Sequence, residues 1–229
     1  MGNRKTPLIT GEYYHVYLRG VEKRDIVLDS EDIDRFLLSL TTFNTTEPVG
    51  SIYEHSFRKE NQLGSLTSKL VEIIAFNILQ NHYHLLLRQS VDGGISKFMQ
   101  SFNGGYTKYF NHRYKRAGVL FQGTFGSAHI KTDAHLRYTA AYVNLNHMIH
   151  KLGSLTSKWG KRSSWEQYTE GKERTYAVVC DTESILELYR NKEKCISDLG
   201  DIACMIATER EREKMEDEEN EVLKQYLEV

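Results

Sequence analysis

The sequence is poor in cysteine and proline and contains no long apolar run. Its three cysteines, Cys180, Cys195 and Cys204, are odd in number and form no Cys-x-x-Cys motif, which argues against a disulfide framework or a cysteine-rich zinc site. The only prolines are Pro7 and Pro48, so proline interrupts no helix after residue 48. No apolar stretch approaches the roughly 18 residues of a membrane span, and none follows a basic N-terminus as in a signal peptide. We therefore expect a soluble, cytoplasmic protein without a membrane partner.

Net charge is also nearly absent, but only because two unlike parts of the chain cancel. The formal charge of the 229 residues is −1. Residues 1–162 carry 21 Lys and Arg against 13 Asp and Glu, whereas the remainder carries 9 against 18. Such asymmetry is typical of a nucleic-acid-binding part followed by an acidic extension. The sequence therefore predicts two regions, a basic domain over residues 1–160 and an acidic, mainly helical extension over residues 161–229.

The pattern of apolar residues in the basic region mixes strands and helices. Aromatic and β-branched residues predict strands over residues 13–18 and 71–79, and residues 82–87 continue extended after a turn. Helical spacing predicts helices from about 30 to 40, 95 to 114 and 132 to 150, although the glycine pair at 104 and 105 weakens the second. Residues 115–126 are predicted to be a loop or hairpin. The fold class is therefore α+β.

The motif His82-Tyr83-His84 is a candidate metal site. Residues i and i+2 of a strand point to the same face, so the two imidazoles would lie side by side. Two half-buried polar strand residues without a metal remain an alternative. Because the surrounding strand residues are almost continuously apolar, placing two unused histidines there would be costly.

A tyrosine with a ligand-type residue four positions later on a helix is a candidate nucleophile. Of the 14 tyrosines, only Tyr142 and Tyr189 are followed at that spacing by an amide or carboxylate, at Asn146 and Glu193. Tyr189 lies in the acidic part, which is unsuited to a phosphate substrate. Tyr142 lies in the basic part, although a helix aromatic that only packs on the sheet is an alternative for it.

Three ordered motifs resemble those of the Y1, or IS200-like, transposases, a group of HUH endonucleases, and specifically their REP-associated branch. They are residues 14–20 (YHVYLRG), residues 81–87 (NHYHLLL) and residues 142–146 (YVNLN). The resemblance covers roughly residues 10–155. It implies a ferredoxin-like antiparallel sheet with helices on its faces, and a bacterial, nucleoid-associated protein.

The resemblance also implies the chemistry. The family cuts single-stranded DNA near a hairpin, leaving a 5′-phosphotyrosine and a free 3′-OH. Carried onto this chain, Tyr142 is the nucleophile, His82 and His84 are metal ligands and Asn146 is the third ligand. The metal is Mg²⁺ or Mn²⁺, and Mn²⁺ tolerates mixed nitrogen and oxygen ligation better. The chain departs from the family pattern at Tyr83, where an aliphatic residue is usual, and after Asn146.

Basic, aromatic and amide residues interleave over residues 88–137, which carry eight Lys and Arg against two Asp. Basic groups follow phosphates, and exposed aromatics can stack unpaired bases. We predict contacts with single-stranded or hairpin DNA from a basic and amide set, namely Arg19, Lys108, Arg113, Lys115, Arg116, Gln122 and Lys131.

Three functions remain open at this point. The first is an active single-strand endonuclease and strand transferase, and the second is a domesticated DNA-hairpin-binding protein that no longer transposes. The third is a metal hydrolase that uses water as its nucleophile. A homodimer and a monomer are both compatible with the sequence. The acidic extension either supports folding or oligomerisation or packs beside the basic face and competes with DNA.

Overall fold

The computed structural model describes residues 7–49, 68–150, 162–170, 178 and 180–227, with side chains up to residue 215. Its core is a four-stranded antiparallel sheet in the order β2-β3-β1-β4. The strands are β1 (Tyr13–Arg19), β2 (Val71–Ile78), β3 (His82–Gln89) and β4 (Gly126–Ile130). With one helix after β1 and another after β3, this is the split βαβ arrangement of ferredoxin-like folds, so the predicted fold class is confirmed.

Helices α1 (Ser30–Thr42) and α2 (Gly94–Arg113) cover one face of the sheet. Helix α1 begins where the side chain of Asp29 accepts a hydrogen bond from the amide of Asp32, at 3.1 Å. Helix α2 runs unbroken through the glycine pair at 104 and 105, which was expected to weaken it. A Cβ atom at Gly105 would lie 2.3 Å from the ring of Phe43, so that glycine permits a close approach between the two elements.

The opposite face carries the helices that follow β4 in the chain. They are α3 (Asp133–Asn144), α4 (Asn146–Ile149), α5 (Trp165–Thr169), α6 (Glu183–Leu186) and α7 (Lys192–Leu227). Helix α3 lies between the sheet and α7. Leu86 of the sheet, Ala140 of α3 and Leu199 of α7 belong to one hydrophobic cluster. The acidic extension therefore shares a core with the basic region.

Two expectations about elements need correction. The helix predicted from residue 132 to 150 is interrupted at Leu145, whose φ of −108° and ψ of 17° separate α3 from α4. Strand β4 was not predicted; it begins at the last residue of the predicted loop or hairpin and continues beyond it. It was missed because Gly126, Ser127 and Ala128 have little intrinsic strand preference. It pairs with β1 all the same. Among the described residues, no helix is both long and apolar enough to cross a bilayer.

Candidate active site

The two histidines of β3 point to the face of the sheet that carries α3. His82 and His84 have ring centroids 5.0 Å apart. Tyr83 between them points into the other core, where it is fully buried and its hydroxyl donates to Asn103 Oδ1 at 2.7 Å. The period-2 alternation of the strand therefore brings the two imidazoles together as expected.

The hydrogen bonds of His82 fix which ring nitrogen is available. Its Nδ1 lies 2.7 Å from Asn81 Oδ1, and the amide nitrogen of Asn81 donates to the carbonyl of Lys23 at 3.2 Å. Because an amide oxygen only accepts, Nδ1 of His82 carries the proton and Nε2 keeps its lone pair. Burial, followed by the charge of Arg19, lowers the pKa of His82 to about 4, so the ring is neutral at pH 7.

His84 is held by a histidine from the neighbouring strand. Its Nδ1 lies 2.9 Å from Nε2 of His15, with the two rings stacked at 5.1 Å. Burial, followed by the charge of His15, lowers the pKa of His84 to about 2, so this ring is also neutral at pH 7. In the described part of the chain, its Nε2 is buried without a hydrogen-bond partner. When Nδ1 donates to His15, Nε2 is an unused lone pair, and leaving such an acceptor buried costs free energy.

Tyr142 lies against these rings. Its ring centroid is 5.4 Å from that of His84 and 5.7 Å from that of His15, with both pairs packed edge to face. Helix α3, which carries it, begins where the hydroxyl of Thr132 accepts a hydrogen bond from the amide of His135 at 3.2 Å. The tyrosine is half-buried, so its hydroxyl can meet a substrate at the surface.

Two buried asparagines are further candidate ligands. Within the part of the chain that the structure describes, neither amide atom of Asn146, which is fully buried at the start of α4, has a hydrogen-bond partner. Asn77 of β2 pairs in register with His84, so the two side chains share a face, and its amide is likewise without a partner among the described residues. Buried polar groups are rarely left in this state. Amide oxygens of this kind are available to a hard divalent cation.

The donor set fits a divalent cation of mixed nitrogen and oxygen ligation. Within the described residues, no group of three or more His, Cys, Asp or Glu is placed to hold a metal ion. The available donors are instead Nε2 of His82, Nε2 of His84 and the amide oxygens of the buried asparagines. Such a set contains no carboxylate and favours Mn²⁺ over Mg²⁺, which prefers oxygen ligands.

Sequence reasoning missed three residues of the site, namely His15, Asn77 and His150. The last of these follows α4, and its charge contributes to the lowered pKa values of His82 and His84. His15 and Asn77 come near His84 only through strand pairing, which the sequence does not state. His150 could have been found from the sequence, because it follows Asn146 at the four-residue spacing of one side of a helix.

The predicted DNA contacts fall in different places. Arg19 pairs in register with His82, and the backbone amide of Gln122 donates to the carbonyl of Arg19 at 2.8 Å, so both lie at the histidine end of the sheet. Lys131 follows Ile130, whose partner Tyr13 lies at the other end of β1. The structure therefore brings Arg19 and Gln122 toward the site but not Lys131.

The remaining four predicted contacts lie on or just after α2, across the sheet from Tyr142. Lys108 and Lys115 are exposed there. The guanidinium of Arg113 is engaged with Asp32 at 2.6 Å and with Asp29 at 2.7 Å. Arg116 donates to the side chain of Asn111 and to the carbonyl of Val119. Two of the four cations are therefore already committed to contacts within the protein.

Comparison with known proteins gives one family match. A sequence model of the IS200-like transposases matches residues 58–146, a range that ends on Asn146 and includes His82, His84 and Tyr142. A comparison with curated proteins gave no match. Among solved structures, a REP-associated tyrosine transposase bound to a REP hairpin is similar, with 14% identity, a TM-score of 0.49, and coverage of 80% of this chain and 93% of that one. The resemblance to the IS200-like transposases is thus confirmed over residues 58–146, which include the second and third motifs.

Proposed function

We propose that the protein is a metal-dependent, single-strand DNA endonuclease and strand transferase that acts at or near a DNA hairpin through Tyr142. The hydroxyl oxygen of Tyr142 attacks a backbone phosphorus, and the bond from phosphorus to the 3′-oxygen breaks. The strand that leaves ends in a free 3′-OH, and the other strand stays on Tyr142 as a 5′-phosphotyrosine. Attack by a 3′-OH reverses the step and rejoins the DNA, because the covalent link preserves the phosphodiester.

The observation that carries this proposal is the arrangement of the two imidazoles. His82 and His84 are neutral at pH 7, each with Nδ1 in a hydrogen bond. Among the described residues, Nε2 of His84 has no hydrogen-bond partner, and the ring of His84 packs against that of Tyr142. Neutral rings are the ligand form of histidine, so no proton has to be displaced before they bind a metal. When bound, Mg²⁺ or Mn²⁺ supplies Lewis-acid polarisation of the scissile phosphate.

The other residues of the site have separate tasks in this proposal. His15 holds the ring of His84 through its 2.9 Å hydrogen bond. Asn146 offers its buried amide oxygen at the start of α4, directly after the helix that bears Tyr142. Arg19 and Gln122 lie at the open end of the sheet next to His82, where they can contact the DNA strand. Because Tyr142 faces the histidines of its own chain, a monomer carries the complete set.

The test is covalent capture of a labelled single-stranded hairpin oligonucleotide with Mn²⁺, resolved on a denaturing gel. We expect a protein–DNA adduct that disappears in Tyr142→Phe and after chelation of the metal. The matched control is Tyr138→Phe, which removes a hydroxyl from an exposed tyrosine one turn earlier on the same helix and should keep the adduct.

Two outcomes would contradict the proposal. Wild-type protein that binds the hairpin without forming an adduct would support the domesticated hairpin-binding protein instead. Cleavage without an adduct that survives Tyr142→Phe would support the hydrolase that uses water.

A further inference from the structure

The buried face of α7 changes from apolar to basic residues near the last side chains that the structure describes. Cys195, Leu199, Ala203 and Ile206 recur at helical spacing and are all buried. The next position of this stripe, one turn after Ile206, is an arginine. Lys214 follows another turn later. The stripe that packs α7 onto the rest of the protein therefore ends in two cations, Arg210 and Lys214, which we call the basic stripe.

The basic stripe adjoins the helices that carry the site. Ala203 and Ile206 of α7 form one cluster with Leu145 and Ile149, and the half-buried ring of Tyr142 packs against that cluster. One turn beyond Ile206, the helix therefore passes beside the end of α4. Arg210 is accordingly half-buried although its sequence neighbours on α7 are exposed.

The charges of the basic stripe reach the end of α4. Burial first, and then the charges of Arg210 and Lys214, lower the pKa of His150, which follows directly after α4. Together with the cluster that joins α7 to Leu145 and Ile149, this places the two cations on the side of α7 that passes α4, the short helix next to the one that bears Tyr142.

The two cations of the basic stripe differ in their contacts from the neighbouring arginine on α7. In the part of the chain that the structure describes, neither Arg210 nor Lys214 forms an ion pair, whereas Arg212 on the other side of α7 pairs with Glu209 at 2.9 Å. Like charges one helical turn apart destabilise a helix. A cationic pair at this position, on the side of α7 that passes α4, therefore fits an anionic ligand.

We propose that Arg210 and Lys214 bind backbone phosphates of the single-stranded DNA that enters or leaves the site at Tyr142. The inference rests on the proposed function and assigns the acidic extension a part in substrate binding. Phosphates suit both side chains, since Arg and Lys supply charged hydrogen-bond donors to their oxygens. The net charge of the extension hides these two cations, because acidic residues alternate with basic ones along residues 209–214.

The experiment compares two charge reversals of the same residue type on the same helix. Arg210→Glu and the double variant with Lys214→Glu are measured against Arg212→Glu for binding of a single-stranded hairpin oligonucleotide over a range of salt concentrations. The full-length chain is used, and thermal unfolding checks that each variant is folded. We expect Arg210→Glu to weaken binding about tenfold, as for the loss of one charged hydrogen bond. The salt dependence should become shallower by about 0.7 per lost contact.

The results separate this inference from the proposed function. If wild type binds and forms the Tyr142 adduct but Arg210→Glu and Arg212→Glu behave alike, the inference is overturned and the proposed function stands. If wild type binds no single-stranded oligonucleotide, both are overturned. Weaker binding of Arg210→Glu with an unchanged Arg212→Glu supports the inference, whether or not an adduct forms.

Discussion

Replacing Arg113 by alanine should destabilise the protein more than it weakens DNA binding. The guanidinium lies 2.6 Å from Asp32 Oδ1, and the side chain of Asp32 is fully buried. The other two carboxylates near Arg113, those of Asp29 and Glu31, are 45% and 69% exposed, so solvent screens them and they contribute little. The effect of the substitution is therefore set almost entirely by the pair with Asp32.

The magnitude follows from what remains around Asp32. Its carboxylate still accepts hydrogen bonds from the hydroxyls of Tyr109 and Tyr114 and from the amide of Leu28. Removing the cation nevertheless leaves a buried charge uncompensated, which typically costs about 3–5 kcal/mol. Arg113 is 23% exposed, so water can enter the gap, and we expect a free energy of unfolding lower by about 3 kcal/mol. For a chain of this length that is a fall in Tm of roughly 6–12 °C.

The assay is thermal or urea unfolding of Arg113→Ala beside Lys115→Ala, an exposed cation two residues away. We expect the control to stay within about 0.5 kcal/mol of wild type. Hairpin affinity is measured on both variants at a temperature where both are folded. An Arg113→Ala variant as stable as the control but with markedly weaker DNA binding would refute this reasoning and restore Arg113 as a DNA contact.

Two further predictions concern the hydrogen bonds that hold charged or ligating groups. His15→Phe removes the 2.9 Å hydrogen bond to His84, so we expect Mn²⁺ affinity to fall about 10- to 100-fold. The affinity is measured by titration calorimetry without DNA, beside the control variant His129→Phe. Equal affinities of the two variants would contradict the prediction. The hydrogen bond from Arg113 holds the pKa of Asp29 below its usual value of 3.8, so its contribution to stability is present above that value and lost as pH falls through the lower folded value. Urea unfolding below about pH 4 should therefore show an acid-dependent loss of stability that is smaller in Arg113→Ala, and identical pH slopes would argue against this assignment.

Local pattern was enough to predict the parts of the site that lie within one element. The alternation of β3 placed His82 and His84 on one face and Tyr83 on the other. The position of His15 was not accessible in this way, because it depends on the register between β1 and β3. The break at Leu145 was equally hidden, since no proline or glycine marks it.

Charge and propensity were less reliable guides than periodicity. The basic segment at the end of α2 was predicted to be a DNA surface, and this stays a prediction, but its charge did not reveal that Arg113 pairs with a buried carboxylate from α1, 81 residues away in sequence. The glycine at 105 weakens a helix in isolation, yet here it accommodates the ring of Phe43. In both cases the deciding contact joins segments that are distant in sequence, and neither segment alone carries the information.

The hydrophobic cluster that joins the sheet, α3 and α7 has a consequence for how the protein can be divided. The change of charge near residue 162 suggests a place to cut the chain, but a cut there would remove Tyr168, Ile185 and Leu199 from the cluster that they share with the helix that bears Tyr142. That helix would then expose an apolar side to water, and such a surface promotes misfolding or aggregation. We therefore expect the smallest folded unit to be set by packing and to include a large part of the acidic extension.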